Sequence, residues 1–211
     1  MSERFDLREP NEAALSAAER ALGRGELVVL PTDTVYGVAA RPDAEGATDR
    51  LFAAKRRPRD LTLPVLVADT DDAERIARFD GRARALAERF WPGALTMVLP
   101  RTEASLPWML GDERDTVGIR LPADDIARAL LTRTGPLAVT SANVSGEPTP
   151  ATCEGVEAAF GQAVAVYLCS GTAPGGRAST VVDLTGAEPV VLRRGPISPQ
   201  AILDTAAGDT P

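Results

Sequence analysis

Apolar and polar positions follow helical and strand periods along most of the chain. The apolar spacing within residues 12–22 predicts a helix, which Pro10-Asn11 precedes and Gly23 follows. Residues 27–30 form a short apolar run, which predicts a buried strand. Further helices are predicted over 48–54, 71–79, 81–90 and 124–132, with a last one beginning at Ser198-Pro199. Further strands are predicted over 64–68, 95–99, 117–121, 137–139, 164–168, 180–184 and 190–192.

The order of these elements predicts an α/β fold. Helices and strands alternate, but some strands follow each other without a helix between them. This pattern favours a single domain with a twisted, mixed parallel/antiparallel sheet flanked by helices. The expected domain covers 1–211, because neither an internal repeat nor a long Pro/Ser linker divides the chain, and residues 206–211 are expected to be a frayed tail.

The composition excludes several catalytic chemistries. The chain of 211 residues has no histidine, which removes Ser-His-Asp and Cys-His catalysis and histidine-based metal sites. Cys153 and Cys169 lie far apart without a C-x-x-C motif, so a zinc site is not expected. We interpret them as free thiols in a reducing cytosol, although their spacing also allows one disulfide between them. An enzyme of this composition would act by positioning and electrostatics, as ATP-dependent enzymes do.

Charge and hydropathy indicate the expected compartment and partners of the protein. The formal net charge is −7, which disfavours non-specific nucleic-acid binding. The first fifteen residues lack the apolar region of a secretory signal, and no apolar run is long enough for a membrane span. We therefore expect a cytoplasmic protein without membrane contact and without tight RNA binding.

Lys55 is the only lysine among 23 basic residues. It lies in the densest basic run, 55–59. A lysine ammonium is a compact point charge with three donors, whereas arginine presents a planar fork, so a tight anion site can require lysine. Chance survival in an arginine-rich composition is an equally acceptable interpretation of this residue alone.

Polar segments follow several predicted elements, where open α/β sheets bind ligands. They are 31–37, the basic run 55–59, the two ends of strand 117–121, 140–146 and 193–196. Each alone is better explained by turn or loop hydrogen bonding. Together, their cations and hydroxyls indicate a site for an anionic nucleotide and a small polar substrate. Gly171, Gly175 and Gly176 could cradle phosphate, although a flexible loop is the preferred interpretation.

An ordered set of motifs resembles one family. The motifs are PTDTVYG at 31–37, K-x-R-P at 55–58, WPGALT at 91–96, VGIR at 117–120, SANVSG at 141–146, STVVDL at 179–184 and LRRGP at 192–196. This set resembles the YrdC/Sua5 family in its short bacterial form. The resemblance implies a nucleotidyltransferase that makes L-threonylcarbamoyladenylate and pyrophosphate from L-threonine, bicarbonate and ATP, with Mg²⁺. A downstream tRNA threonylcarbamoyl transferase complex would use the product for tRNA modification.

The resemblance also implies roles for residues of this chain. The expected catalytic residues are Lys55 and Arg57, which hold ATP phosphates and the carboxylated amine. The expected nucleotide-binding residues are Lys55, Arg57, Thr116, Ser141, Asn143, Thr149 and Arg193. The expected threonine-binding residues are Thr32, Arg120 and Ser179, and Ser141 with Asn143 would bind Mg²⁺.

The chain departs from the family pattern at three places, one of which is Arg193-Arg194-Gly195 in place of the usual R-P-G turn. Many members have a second lysine in K-x-R-P-x-x-K-P-L, where this chain has Leu61-Thr62-Leu63. Many also have a histidine where this chain has Leu66. Any contact that the family makes through those two side chains is therefore not expected here.

Two other functional classes compete with this interpretation. One is a double-stranded RNA-binding module of the same fold, which the acidic charge and the few aromatic residues disfavour. The other is an ATP-using carbamoylation enzyme with a different acceptor, as in larger proteins that contain a YrdC-like domain. Amino-acid dependence of ATP turnover separates all three.

Overall fold

The computed structural model describes residues 2–173 and 176–208. The strands within them are β1 Glu3–Asp6, β2 Val28–Leu30, β3 Gly37–Ala40, β4 Val65–Leu66, β5 Leu95–Pro100, β6 Thr116–Arg120, β7 Leu137–Ser141, β8 Val166–Cys169, β9 Thr180–Asp183 and β10 Val190–Arg193. The helices are α1 Glu12–Gly23, α2 Ala47–Lys55, α3 Thr70–Ile76, α4 Gly81–Phe90, α5 Asp125–Thr134, α6 Cys153–Phe160 and α7 Pro199–Ala207. A short 3₁₀ turn, Gly161–Ala163, follows α6.

Side-chain caps explain where most helices begin. A capping oxygen accepts a backbone N–H of the first turn, which would otherwise lack a partner. The capping residues are Asn11, Asp69, Asp80, Asp124, Thr152 and Ser198. Helix α2 instead follows Gly46 in a left-handed conformation, without a side-chain cap.

The described strands form one mixed sheet in the order β1-β8-β2-β3-β7-β4-β6-β5-β9-β10. The pairs β1/β8, β2/β8, β4/β6 and β5/β9 are parallel, and the other pairs are antiparallel. This arrangement confirms the predicted α/β fold with a mixed sheet flanked by helices.

The two faces of the sheet are covered unequally. On one face, apolar side chains of α2, α3, α4, α6 and α7 join a core that extends across the sheet. On the other face, α1 and α5 pack on β2, β3, β4, β7 and β8. Within the described residues, β5, β6, β9 and β10 contribute nothing to this second core. The part of the second face that these four strands form is therefore not packed against α1 or α5.

Three elements were missed by the sequence patterns. Strand β1 is an exposed edge strand with little apolar character, and β3 is a buried run that lacks alternation. Helix α6 has its apolar residues Cys153, Val156 and Phe160 at helical spacing, so its pattern was available in the sequence. The lack of an apolar pattern explains the omission of β1, and short length with small side chains explains that of β3.

The predicted frayed tail is wrong for its first residues. Ala206 and Ala207 belong to α7, which ends at Gly208 in a left-handed conformation. Glycine at this position is a common helix stop. Residues 209–211 lie outside the described residues.

The interpretation of the two cysteines as free thiols is also wrong. Cys153 and Cys169 form a disulfide with a Cα–Cα distance of 5.5 Å. The start of α6 packs against the end of β8, and this proximity brings both sulfur atoms together in the core. Sequence spacing could not reveal this approach, because it depends on how α6 returns to the sheet.

No helix in the described part of the chain is long and apolar enough to cross a membrane.

Candidate active site

A cavity of about 520 Å³ lies over the part of the sheet that α1 and α5 leave uncovered. Its lining includes Thr116, Gly118 and Arg120 of β6 and Thr96 and Val98 of β5. Residues at this two-residue spacing share one face of a strand. The site was expected beyond the strand ends, but the cavity instead uses a face of the sheet as its floor.

Seven of the ten predicted site residues line this cavity. They are Thr32, Arg57, Thr116, Arg120, Ser141, Ser179 and Arg193. The other three, Lys55, Asn143 and Thr149, belong to a hydrogen-bonded cluster that adjoins the lining at Ser141. The fold therefore brings every predicted site residue into one connected region.

Arg120 is a buried cation on the cavity floor, with 5% of its surface exposed. Its Nε donates to the Gly93 carbonyl at 2.9 Å, Nη1 donates to Thr34 Oγ1 at 2.8 Å and Nη2 donates to Asp33 Oδ1 at 2.6 Å. Burial lowers the pKa of Arg120, and the Asp33 charge opposes that shift. Since a guanidinium has five N–H donors, two remain for a ligand.

Thr32 and Thr34 form a hydroxyl pair beside Arg120. Their oxygen atoms lie 3.0 Å apart, and Thr32 Oγ1 donates to the Val35 carbonyl at 2.6 Å. Both side chains are buried and line the cavity. The hydrogen bond from Arg120 to Thr34 links this pair to the buried cation.

Ser179 connects β5, β9 and β10 at the other side of the floor. Arg193 Nε donates to the Ser179 carbonyl at 3.0 Å, and Arg193 Nη2 donates to Ser179 Oγ at 3.1 Å. Ser179 Oγ also lies 2.8 Å from Thr96 Oγ1. Thus Thr96 and Ser179, both buried, hold the guanidinium of Arg193 at the cavity.

Arg57 brings a third guanidinium to the cavity lining. Its Nε donates to the Leu61 carbonyl at 2.7 Å, and its Nη2 donates to the Thr62 carbonyl at 3.2 Å. Burial and the nearby charge of Arg193 lower the pKa of Arg57. Asp60 and Asp183 also line the cavity, so their negative charges partly balance the positive charges of its arginines.

Lys55 is fully buried and does not belong to the cavity lining. Its Nζ donates to the carbonyls of Ser141 and Asn143, each at 2.5 Å, and lies 3.5 Å from Asn143 Oδ1. Three oxygens therefore match the three donors of one ammonium group. Burial, reinforced by the charge of Arg57, lowers the pKa of Lys55 to about 8.

Asn143 organises the loop that follows β7. Its Oδ1 accepts from Ser141 Oγ at 2.6 Å and from Thr149 Oγ1 at 3.3 Å. Its Nδ2 donates to the carbonyls of Val144 and Glu147. Lys55 and Asn143 together hold the segment 141–149 in a compact shape at the cavity edge.

A resident Mg²⁺ site at Ser141 and Asn143 does not fit this geometry. Asn143 Oδ1 already accepts two hydroxyl donors and faces the Lys55 ammonium. Protein Mg²⁺ sites use carboxylates and substrate phosphates. Within residues 2–173 and 176–208, no group of three acidic, histidine or cysteine side chains could hold a metal ion.

The glycine-rich segment is only partly described. Tyr36 Oη donates to the Gly171 carbonyl at 2.7 Å and accepts a hydrogen bond from the Ser170 N–H at 2.8 Å. Both contacts tie the segment to a residue that lines the cavity. Gly175, part of the suggested phosphate cradle, lies outside the described residues.

Sequence reasoning did not name several residues of the site. Asp33, Thr34 and Thr96 contact predicted residues directly, and Asp60 and Asp183 line the cavity. Asp33 and Thr34 lie in the motif 31–37 and Thr96 lies in the motif 91–96, so the sequence pattern includes their positions. Their roles depend on partners from distant strands, which spacing along the chain does not reveal.

Comparison with known proteins identifies the family of this chain. The profile of the Sua5/YciO/YrdC family, described as telomere recombination, matches residues 20–195. The chain belongs to this family. A Mycobacterium tuberculosis H37Rv protein named putative threonylcarbamoyl-AMP synthase is 43% identical over 213 residues, which cover 99% of this chain and 97% of that protein. The resemblance deduced from the motifs is therefore confirmed.

Other relatives are longer than this chain. The threonylcarbamoyl-AMP synthase of Pyrococcus abyssi is 41% identical over 173 residues, which cover 81% of this chain and 51% of that protein. The solved structure of Pyrococcus abyssi Sua5 complexed with L-threonine is 36% identical and superposes with a TM-score of 0.88. It covers 99% of this chain, and the chain spans 61% of that protein.

A relative of similar length has the same fold. The crystal structure of Escherichia coli YciO is 26% identical, has a TM-score of 0.87 and covers 96% of this chain and 100% of that chain. The names of the curated relatives agree with the predicted class of enzyme, a threonylcarbamoyladenylate synthase acting as a nucleotidyltransferase.

Proposed function

We propose that this protein makes L-threonylcarbamoyladenylate and pyrophosphate from L-threonine, bicarbonate and ATP. The observation that carries the proposal is the buried guanidinium of Arg120 on the floor of a 520 Å³ cavity. Two of its N–H donors remain free for a carboxylate, and hydroxyl groups surround it.

The amino-acid substrate would bind between Arg120 and Ser179. Arginine and a carboxylate form paired, charge-assisted hydrogen bonds, so Arg120 suits the α-carboxylate of threonine. Thr32 and Thr34 offer hydroxyl groups on one side, and Ser179 offers a hydroxyl group on the other. The relative from Pyrococcus abyssi has been solved with L-threonine, which supports this choice of ligand.

The nucleotide phosphates would lie near Arg57 and Arg193. Their charges are close enough for Arg193 to lower the pKa of Arg57, so the pair attracts an anion. Ser141 lines the same cavity, and Asn143 and Thr149 hold its loop. Thr116, at the start of β6, would contact the nucleotide as well.

The chemistry requires positioning and charge stabilisation. The threonine amine and bicarbonate form a carbamate with loss of water. A carbamate oxygen attacks the α-phosphorus of ATP, the bond from that phosphorus to the bridging oxygen breaks, and pyrophosphate leaves. Arg57 and Arg193 stabilise charge on the phosphates, while Arg120 holds the nucleophile in place. None of these steps needs a histidine side chain.

Lys55 would act mainly by holding the loop 141–149. Its ammonium is saturated by three loop oxygens, so its direct effect on phosphates is the field of a nearby positive charge. Since the Ser141–Asn143 geometry does not fit a resident metal, we propose that Mg²⁺ enters as the MgATP complex.

We also propose a partner and a cellular location for this protein. The product would serve a downstream tRNA threonylcarbamoyl transferase complex in the cytoplasm. We propose no tight RNA binding by this chain, whose net charge is −7. Titration with tRNA near physiological salt would contradict this point if affinity were sub-micromolar, since non-specific binding is typically about 10⁻⁴–10⁻⁶ M.

Pyrophosphate release tests the proposed function. The full reaction is compared with reactions that omit L-threonine or bicarbonate, and each omission is expected to abolish release. Arg120→Ala is expected to raise the KM for threonine roughly tenfold to hundredfold, more than the KM for ATP, because a charge-assisted pair contributes about 1.5–3 kcal/mol. The control Arg128→Ala removes an exposed arginine of α5. Equal release without threonine would contradict the proposed function.

A further inference from the structure

The hydroxyl of Thr96 touches one other polar group. Thr96 lies at the second position of β5 with 4% of its surface exposed, and it lines the cavity. Its Oγ1 lies 2.8 Å from Ser179 Oγ. Among the described residues, Ser179 is the only hydrogen-bond partner of this hydroxyl.

The groups around Ser179 limit how its hydroxyl can bond. A serine hydroxyl has one hydrogen and two lone pairs. Arg193 can only donate, so its Nη2 uses one lone pair of Ser179 Oγ. Thr96 and Ser179 are both 4% exposed and both line the cavity, and either hydroxyl can donate in the bond between them. When Thr96 donates, it uses the second lone pair of Ser179.

With Thr96 as the donor, Ser179 keeps a hydrogen and has no free lone pair. Ser179 lines the cavity, and its hydrogen has no acceptor among the described residues. In that arrangement, the ligand group that meets Ser179 must be a hydrogen-bond acceptor such as an oxygen. An ammonium group would find no acceptor there.

The position of Thr96 relates this donor to the amino-acid site. Met97 pairs with Ile119, so the antiparallel register places Thr96 beside Arg120 on the neighbouring strand. Paired strands lie about 4.8 Å apart. An amino acid whose carboxylate is held by Arg120 therefore has its side chain within reach of Ser179.

We propose that Thr96 donates to Ser179 and is thereby a positioning residue that makes Ser179 a hydrogen-bond donor to the side-chain hydroxyl of the amino-acid substrate. This inference rests on the proposed function and adds a cause for its substrate preference. Without the Thr96 hydroxyl, a lone pair of Ser179 becomes free, the serine hydroxyl can rotate, and its preference for a hydroxyl-bearing ligand falls.

The test compares two ligands that differ by the hydroxyl group. Dissociation constants of L-threonine and L-2-aminobutyrate are measured by calorimetry, with displacement of threonine for the weaker ligand. Thr96→Val keeps the side-chain shape and removes the hydroxyl, whereas Thr96→Ser retains it. Thr134→Val is the matched control, because Thr134 is a buried threonine whose hydroxyl bonds only within and just after α5.

We expect Thr96→Val to weaken threonine binding about fivefold, as the loss of one neutral hydrogen bond implies. Aminobutyrate binding should stay within about twofold, and Thr96→Ser and Thr134→Val should resemble wild type for both ligands. Ser179→Ala should reduce the same ligand preference, and its combination with Thr96→Val should reduce it no further.

Two results would overturn the inference. If Thr96→Val weakened binding of threonine and aminobutyrate equally, the effect would come from packing alone. If the preference for threonine over aminobutyrate did not change, the Thr96 hydroxyl would have no role in it. Both leave the proposed function intact if wild type binds threonine and releases pyrophosphate with it. Absence of threonine binding and of threonine-dependent turnover in wild type would overturn the proposed function and this inference together.

Discussion

Arg120 and Asp33 form a buried ion pair in which Nη2 lies 2.6 Å from Oδ1. The side chains are 7% and 20% exposed, and Asp33 Oδ1 also accepts the Ala123 N–H at 3.0 Å. The pair fixes the guanidinium between the loop 31–37 and β6. A buried cation with this one carboxylate partner depends on that partner for its charge balance.

Asp33→Ala should destabilise the protein by about 3 kcal/mol, because it leaves a buried guanidinium without a counter-ion. Urea unfolding measures the loss. The control Asp43→Ala breaks an exposed pair with Arg41, which should cost less than about 1 kcal/mol. Saturating L-threonine should restore part of the lost stability in Asp33→Ala, since its carboxylate replaces the missing charge. Equal stability of the two variants would exclude this dependence.

Lys55→Arg should lower kcat/KM about 30-fold or more, although the charge is kept. The compact ammonium fits three oxygens, and a planar fork cannot reach all three, so about 2 kcal/mol of charge-assisted bonding is lost. The adjacent swap Arg56→Lys, at an exposed position, is the control. Steady-state pyrophosphate release measures both variants. If the kcat/KM of Lys55→Arg stayed within twofold of wild type, the lone lysine would be explained by chance survival in an arginine-rich chain.

Alkaline pH should reduce activity through Lys55. Its folded pKa of about 8 lies below the ordinary value of 10.5, so the folded protein loses this proton first. A neutral amine has two donors for three oxygens, and the loop 141–149 should loosen. The profile of kcat/KM should therefore fall above about pH 8. Lys55→Met should retain low activity without this decrease, and an unchanged profile in wild type would contradict the prediction.

The lowered pKa of Lys55 should affect stability in the direction opposite to its effect on activity. Between pH 8 and 10.5 the unfolded chain keeps a proton on Lys55 that the folded chain has released. The free energy of unfolding, relative to Lys55→Met, should therefore rise with pH across this window, because burial of the charge is relieved. Unfolding of both proteins at several pH values measures the difference. A relative stability that falls with pH would show that the hydrogen bonds to the loop outweigh burial.

Reduction of the Cys153–Cys169 disulfide should lower the melting temperature by roughly 6–12 °C. A closed loop of 16 residues corresponds to about 3 kcal/mol of stability. Thermal unfolding with and without reductant measures the shift, and the double variant Cys153→Ser/Cys169→Ser should not respond to reductant. Thiol titration of the denatured, unreduced protein should detect no thiol. Two free thiols would contradict the pairing.

Local patterns predicted most of the elements and the membership of the site. The helical spacing within residues 12–22 and the caps at Asp124 and Ser198 act over a few residues, so they are readable in sequence. Short strands such as β3 were missed, because four small buried residues have no distinctive period. The ordered motifs indicated which residues share a site, but not which atoms meet.

The sequence by itself determined the class of fold, the family and the set of residues that gather at the cavity, because these depend on local propensity and on residue identity. Only the tertiary structure decided that the cavity lies over a sheet face, since this depends on which strands α1 and α5 leave uncovered. It also decided that Lys55 points into the loop 141–149 and that Thr96 meets Ser179. Such contacts join residues more than eighty positions apart, and no local pattern records the distance between them.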